Sequence, residues 1–258
     1  MICIKINDRP VQAGQDETIL QAAARADIYI PTLCHLDMLE PAGLCRICTV
    51  EVFDGKRTKM VTACNYPVRD GIEVRTDTKK VKVGRAMILE LLLARCPDSA
   101  IIRKMALEYG IKEPRFPVEK QDCIVCGLCV RVCEEYAGNV LLLSGRSHEI
   151  TIEPPFGDPG KTCIGCGMCA SVCPTGIINI QEHNGERFVV LRNKVIGRLR
   201  TMTCPGCGTP TQPEKLSAWV REKMGPDYIP VHLDLCDKCK RRTVAERMAA
   251  SQEPGLVP

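Results

Sequence analysis

The stretch CIVCGLCVRVCEEYAGN (residues 123–139) and its near copy KTCIGCGMCASVCPTGII (residues 161–178) decide how this chain is organised. In each, three cysteines stand three residues apart and a fourth follows four residues later: Cys123, Cys126, Cys129 and Cys133, then Cys163, Cys166, Cys169 and Cys173. Such steps gather three thiolates on one loop, and a fourth from elsewhere completes the donor set of a [4Fe–4S] cluster. In runs of this spacing the fourth cysteine serves the other cluster. The expected sets are therefore Cys123, Cys126, Cys129 and Cys173 for one cluster, and Cys163, Cys166, Cys169 and Cys133 for the other. Pro174 follows the second run, whereas Glu134 stands at that place in the first. Between the runs, RSHEITIEPPFG (residues 146–157) is expected to add a hairpin.

Working outward to the N-terminal side, residues 1–77 read as a small α/β unit. Ile2–Ile6 alternates as a strand, Asn7–Pro10 is a turn, and a second strand follows near Val11. Thr18 can cap a helix running to Ala26, with Ile19, Ala22, Ala23 and Ala26 on one face. Thr49–Phe53 and Lys59–Thr62 flank the turn Asp54-Gly55-Lys56, and Ile72–Arg75 is a last strand. Two hairpins crossed by one helix predict a β-grasp. Within this unit Cys34, Cys45, Cys48 and Cys64 supply the four thiolates that a [2Fe–2S] cluster needs, two per iron. The loop Leu39–Leu44 carries Pro41 and Gly43, and glycine lets backbone amides approach cluster sulfurs. A structural zinc site favours two close Cys-x2-Cys pairs, and this region has one. His35, next to Cys34, could donate to a cluster sulfur but is expected on the exposed surface.

Residues 78–118 read as a helical linker. The first helix, over 78–95, should bury a stripe of Val81, Val83, Ile88, Leu91 and Leu92. The second runs from Ala100 to Tyr109 and closes at Gly110. Cys96 and Cys3 are expected as small buried residues.

On the C-terminal side, residues 197–247 carry Cys204, Cys207, Cys236 and Cys239 as two Cys-x2-Cys knuckles around a helix, Pro213–Met224. Two knuckles complete a tetrahedron, so zinc is expected there, with a third [4Fe–4S] cluster as the alternative. From Arg192 to Arg247 there are 12 Lys and Arg against 6 Asp and Glu. Nucleic acid is weighed as a partner for this module and disfavoured, because only Trp219 and Tyr228 could stack on bases. Residues 248–258 read as a flexible tail.

Composition agrees with metal as a structural element. Of 258 residues 18 are cysteine, and aromatics make up only 4%. Metal binding can supply folding free energy where large core side chains are scarce. Disulfides belong to exported chains, and the N-terminus lacks a signal-type apolar run. The apolar stretch Ala86–Ala94 is interrupted by Glu90 and is too short to span a bilayer. No membrane partner and a cytoplasmic location are therefore expected. A net charge of +4 is too modest to make nucleic acid the default ligand. No GxGxxG or P-loop pattern occurs outside the cysteine runs, so no catalytic residue is assigned.

PTLCHLDMLEPAGLCRICTVEV (residues 31–52) resembles the N-terminal [2Fe–2S] domain of the large iron–sulfur subunit of complex I. It is equally similar to the small diaphorase subunit of NAD-linked hydrogenases and to the front end of iron-only hydrogenases. The paired runs resemble the diaphorase subunit and the hydrogenase relay domain and, in their motif, bacterial dicluster ferredoxins. That family usually continues from the first domain with a His-x3-Cys-x2-Cys-x5-Cys motif. Here LLARCPDSAIIRKMALEYGI (residues 92–111) retains only Cys96, so that further cluster is not expected.

The resemblance implies an α+β chain: a β-grasp [2Fe–2S] domain (1–77), the helical linker (78–118), a 2×[4Fe–4S] ferredoxin domain (119–196) and a zinc-ribbon-like module (197–247). It also implies a relay subunit within a hetero-oligomeric NAD(P)H-linked oxidoreductase such as a hydrogenase, formate dehydrogenase or electron-bifurcating transhydrogenase. Its partners would be a flavin-bearing NAD(P)H-oxidising subunit and a second redox subunit or ferredoxin. The alternative is an iron–sulfur regulator that binds nucleic acid through the basic C-terminal module.

Overall fold

Ile4 and Ile6 are fully buried, while Cys3 and Lys5 at the alternate positions face solvent, as the two-residue repeat of a strand requires. They lie on β1 (Ile2–Ile6), a strand of the N-terminal domain in a computed structural model that describes residues 2–157, 162–225 and 234–250. β1 pairs antiparallel with β2 (Arg9–Ala13). After α1 (Ile19–Arg25) come β3 (Thr49–Phe53), β4 (Thr58–Thr62) and β5 (Glu73–Arg75). The sheet order is β2-β1-β5-β3-β4, with β1 parallel to β5, which is the mixed sheet of a β-grasp. α1 starts at a capping box: Thr18 Oγ1 accepts from the Gln21 amide and Gln21 Oε1 accepts from the Thr18 amide. Its Ile19, Ala22 and Ala23 join Ile4, Ile6, Val50, Val52 and Val74 in one core.

The linker helices are α2 (Lys79–Arg95) and α3 (Ala100–Glu108). α2 departs from the expected stripe. Val81 is buried, but Val83 and Leu91 are exposed, and the inward face is Val81, Arg85, Leu89, Glu90, Leu93 and Ala94. Two charged residues are inside because each finds partners. Arg85 donates to the Thr49 carbonyl from Nε (3.1 Å) and Nη2 (2.8 Å). Glu90 accepts from the Arg115 backbone amide and guanidinium at 2.6–2.8 Å. Cys96 caps α2 and is fully buried, as expected. Cys3 is exposed instead, because the alternation that buries Ile4 turns it outward.

The remaining strands and α-helices are α4 (Leu128–Tyr136), β6 (Leu142–Ser144), β7 (Thr151–Glu153), α5 (Met168–Ser171), β8 (Ile178–His183), β9 (Glu186–Leu191), β10 (Lys194–Thr203), β11 (Pro210–Pro213), α6 (Glu214–Met224) and α7 (Asp237–Ala250). β6 and β7 pair, so a two-stranded hairpin forms, but its first strand lies before the 146–157 segment expected to supply it. A four-stranded antiparallel sheet, β11-β10-β9-β8, occupies much of the C-terminal part and goes beyond the elements expected from sequence. Its first turn, Asn184-Gly185, has both residues at positive φ (54° and 74°), as a tight hairpin loop demands. α7 reaches Ala250, into the segment expected to be a flexible tail; residues 251–258 lie outside the described residues.

The chain divides into two compact units. The first comprises Met1–Val132, Leu143–Ile152 and Val172–Ile177; the second comprises Cys133–Leu142, Glu153–Ser171 and Ile178–Pro258. Among the described residues no helix is long and apolar enough to cross a membrane.

Candidate iron–sulfur and metal centres

None of the 18 cysteines, all of which lie among the described residues, is joined in a disulfide. Sixteen fall into four groups.

The first group sits at the edge of the β-grasp. Cys34, Cys45, Cys48 and Cys64 are all buried, on the loop after α1, at the entry to β3 and just after β4. They approach in pairs. The Cys34 thiol is lowered to about 6, chiefly by a hydrogen bond from the Cys45 side chain, with the Cys45 and Leu44 amides and the Arg131 charge assisting against burial. Cys48 is lowered to about 7, chiefly by a hydrogen bond from Cys64. Cys45 and Cys64, the donors, are pushed up for the same reason. The Cys45 amide donates to Cys34 Sγ at 3.3 Å. Gly43 has φ +62°, and a Cβ there would strike Asn65 at 2.7 Å. His35 is largely buried, not exposed: its side chain keeps 12% of its surface, Nε2 meets Asp37 and Nδ1 has no hydrogen-bond partner. Arg131 Nε is likewise buried without a partner. His35 follows Cys34 in the chain and the Arg131 charge acts on the Cys34 thiol, so both orphaned nitrogens fit a group with sulfide acceptors.

The first unit also holds Cys123, Cys126, Cys129 and Cys173. Cys123 and Cys126 precede α4, on a loop bent by positive φ at Val125 (54°) and Gly127 (70°), and Cys129 lies within α4. The Val125 amide donates to Cys123 Sγ at 3.4 Å. Cys126 is pushed up to about 12 by burial, with the charges of Cys123, Cys173 and Cys34 adding to the effect. Cys173 is thus close enough to act on Cys126, and so is Cys34 of the first group.

Cys133, Cys163, Cys166 and Cys169 belong to the second unit. They line one cavity whose walls are otherwise apolar, among them Val140, Leu141, Val189 and Ile196. Burial pushes Cys169 up to about 12 and raises Cys163 and Cys166, and the Cys133 thiol raises all three further. The Val140 amide donates to Cys133 Sγ at 3.3 Å. These dry walls and inward amides fit a thiolate-held cluster.

The fourth group is Cys204, Cys207, Cys236 and Cys239, whose sulfurs all lie within 4.8 Å of one another. The knuckle after β10 is closed by the Gly208 amide on the Cys204 carbonyl (2.8 Å), and the other opens α7. Cys204 is lowered, first by the Cys236 amide. Cys207 is lowered to about 6, first by the Thr209 hydroxyl. Burial pushes Cys239 up to about 12.

These four thiol groups on a β-grasp and a paired-motif domain define an iron–sulfur protein of mixed helix and sheet. Residues 1–79 match the 2Fe-2S iron-sulfur cluster binding domain family, and residues 162–212 match the 4Fe-4S dicluster domain family. The chain is 34% identical over 185 residues to the NADPH-Fe(3+) oxidoreductase subunit alpha of Geobacter sulfurreducens, covering 62% of this chain and 22% of that protein. It is 33% identical over 163 residues to the NADH-ubiquinone oxidoreductase 75 kDa subunit of Reclinomonas americana, covering 54% of this chain and 23% of that one. The matched region thus spans less than a quarter of the length of these curated relatives. A chain of an NAD+-reducing [NiFe]-hydrogenase shares the fold, with a TM-score of 0.58 and 23% identity over 68% of this chain and 85% of that chain.

Proposed function

We propose that this chain is the electron-relay iron–sulfur subunit of a cytoplasmic NAD(P)H-linked multisubunit oxidoreductase of the hydrogenase, formate dehydrogenase or flavin-based bifurcating transhydrogenase type. In this reading Cys34, Cys45, Cys48 and Cys64 hold a [2Fe–2S] cluster. Cys123, Cys126, Cys129 and Cys173 hold one [4Fe–4S] cluster, and Cys163, Cys166, Cys169 and Cys133 hold the other. Such clusters exchange single electrons.

The observation that carries the reading is the junction of two cluster sites within one unit: Arg131, on the helix that bears Cys129, donates to the Cys34 carbonyl at 2.7 Å. A relay needs neighbouring centres. The segregation of each four-cysteine set into a single unit supports the crossed assignment. The names of the relatives, an NADPH-Fe(3+) oxidoreductase and an NADH-ubiquinone oxidoreductase, support the nicotinamide link.

Zinc is the better occupant of the fourth group. Four thiolates at about 2.3 Å from one ion stand about 3.8 Å apart. The 4.8 Å envelope of these sulfurs suits one ion better than a cubane. Several basic residues of this module are already paired, Arg221 with Asp234, Lys240 with Asp237 and Arg242 with Glu246. That weakens the nucleic-acid alternative.

The partners are a flavin-bearing NAD(P)H-oxidising subunit and a second redox subunit or ferredoxin. NADH delivers a hydride, so a flavin must stand between it and single-electron centres. The test is reduction of the anaerobically purified chain, followed by its visible spectrum. Dithionite should bleach the chain and NADH alone should not, while the flavin subunit should restore bleaching by NADH or NADPH. Stoichiometric NADH oxidation by the flavin-free chain would overturn the relay-only reading.

A further inference from the structure

Arg131 stands on α4, two residues after Cys129 and two before Cys133. Its guanidinium leaves the helix for the loop that opens the [2Fe–2S] site. Nη2 donates to the Cys34 carbonyl at 2.7 Å and Nη1 to the Glu40 carbonyl at 2.9 Å, across 97 and 91 residues of sequence. The two carbonyls stand six residues apart on that loop, so the planar fork fixes its shape as well as its position. One turn earlier, Gly127 sits so close to Leu44 of the same loop that a Cβ would stand 3.0 Å from Leu44 Cδ1. The helix and the loop therefore meet through one glycine and one arginine, and all of these residues belong to the first unit.

We propose that Arg131 is a positioning residue that locks the Cys34 loop onto the first cubane helix, setting both the reduction potential of the [2Fe–2S] centre and its coupling to the Cys123–Cys126–Cys129–Cys173 centre. This inference rests on the assignment of those two cysteine sets to clusters. The physical basis is twofold. A fixed positive charge beside an electron acceptor favours its reduced, more negative form. Coupling between two centres falls steeply with distance, and the fork holds that distance. Lysine would keep the charge but, as a point charge on a flexible stem, would not hold both carbonyls.

The experiment uses the full chain, anaerobically reconstituted, as wild type, Arg131→Lys and Arg131→Gln. Iron content and the EPR signal of the reduced [2Fe–2S] centre come first, then an EPR-monitored potentiometric titration. A wild-type chain lacking that signal would overturn the cluster assignment itself. With the signal present, the two variants decide the role of Arg131. At the wild-type midpoint, Arg131→Gln should lower the ratio of reduced to oxidised [2Fe–2S] centre by about tenfold, the order expected for removing one unit charge at about 10 Å under an effective dielectric of about 20. Arg131→Lys should keep the ratio but lose the faster spin relaxation that a neighbouring reduced cubane imposes. If Arg131→Gln fails to assemble, the relaxation of Arg131→Lys decides alone. Wild-type midpoint and relaxation in the variants that assemble would overturn the proposal.

Discussion

Gly197 lies against the thiol of Cys163: a Cβ built on Gly197 would stand 2.8 Å from Sγ. The contact arises where the β9–β10 register shifts between Val195 and Gly197, a bulge that brings β10 backbone to the rim of the second cubane cavity. Gly197 does not adopt positive φ, so a side chain there would act by volume alone. Gly197→Val is expected to lose the second cubane, about four irons per chain by the cluster stoichiometry. The [2Fe–2S] EPR signal should remain. Full iron content in this variant would mean that the sheet gives way at no cost to the site.

Whole-chain metal content follows from the four thiol groups. One [2Fe–2S] and two [4Fe–4S] clusters require about ten irons per chain, and a closed four-thiolate site about one zinc. Anaerobic elemental analysis decides. About fourteen irons and no zinc would place a third cubane at Cys204, Cys207, Cys236 and Cys239.

The proposed crossed ligation makes the two fourth cysteines separable. Cys133→Ser should perturb the cluster of Cys163, Cys166 and Cys169, whose cavity it lines. Cys173→Ser should perturb the Cys123 cluster, because its thiol acts on Cys126. Paramagnetic spectroscopy of each variant reads which cubane changes. Alteration of the Cys123 cluster alone in Cys133→Ser would reverse the assignment.

Removing the Glu90–Arg115 pair should destabilise the linker. The Arg115 guanidinium, and then its backbone amide, hold the Glu90 carboxyl below the usual carboxylate range. A carboxyl depressed in the folded state adds stability that is present above its unfolded pKa of about 4.3 and is lost as pH falls through the folded value. Arg115 is largely exposed, which screens the attraction. Glu90→Gln should lower Tm by a few degrees near neutral pH, with the gap to wild type narrowing as pH falls. Thermal unfolding by circular dichroism measures both, and an equal gap at all pH values would show that the lost interaction is not ionic.

Much of the β-grasp is legible in the residues. The capping box at Thr18, the Asp54-Gly55 turn and the alternation of Ile2–Ile6 are local signals, and each produces the expected element. The same alternation places Cys3 outside. The C-terminal sheet carries its own signal in Asn184-Gly185, which a reading of 119–196 as a ferredoxin unit absorbs. The inward face of α2 differs from the expected stripe because such a stripe is drawn from hydropathy alone. Arg85 and Glu90 are buried by partners that lie 36 and 25 residues away in sequence.

The thiol groups show where the division falls. Metal-ligand runs are written at intervals of three and four residues, because one loop must turn several sulfurs toward one point, so the sequence by itself determined the candidate ligands. Tertiary structure alone decided what surrounds them. The partnerless nitrogens of His35 and Arg131, the backbone of Gly197 beneath Cys163 and the Arg131 fork on the Cys34 loop all depend on segments brought together from far along the chain. A close approach of that kind is set by how whole elements pack, and no local spacing of residue types records it.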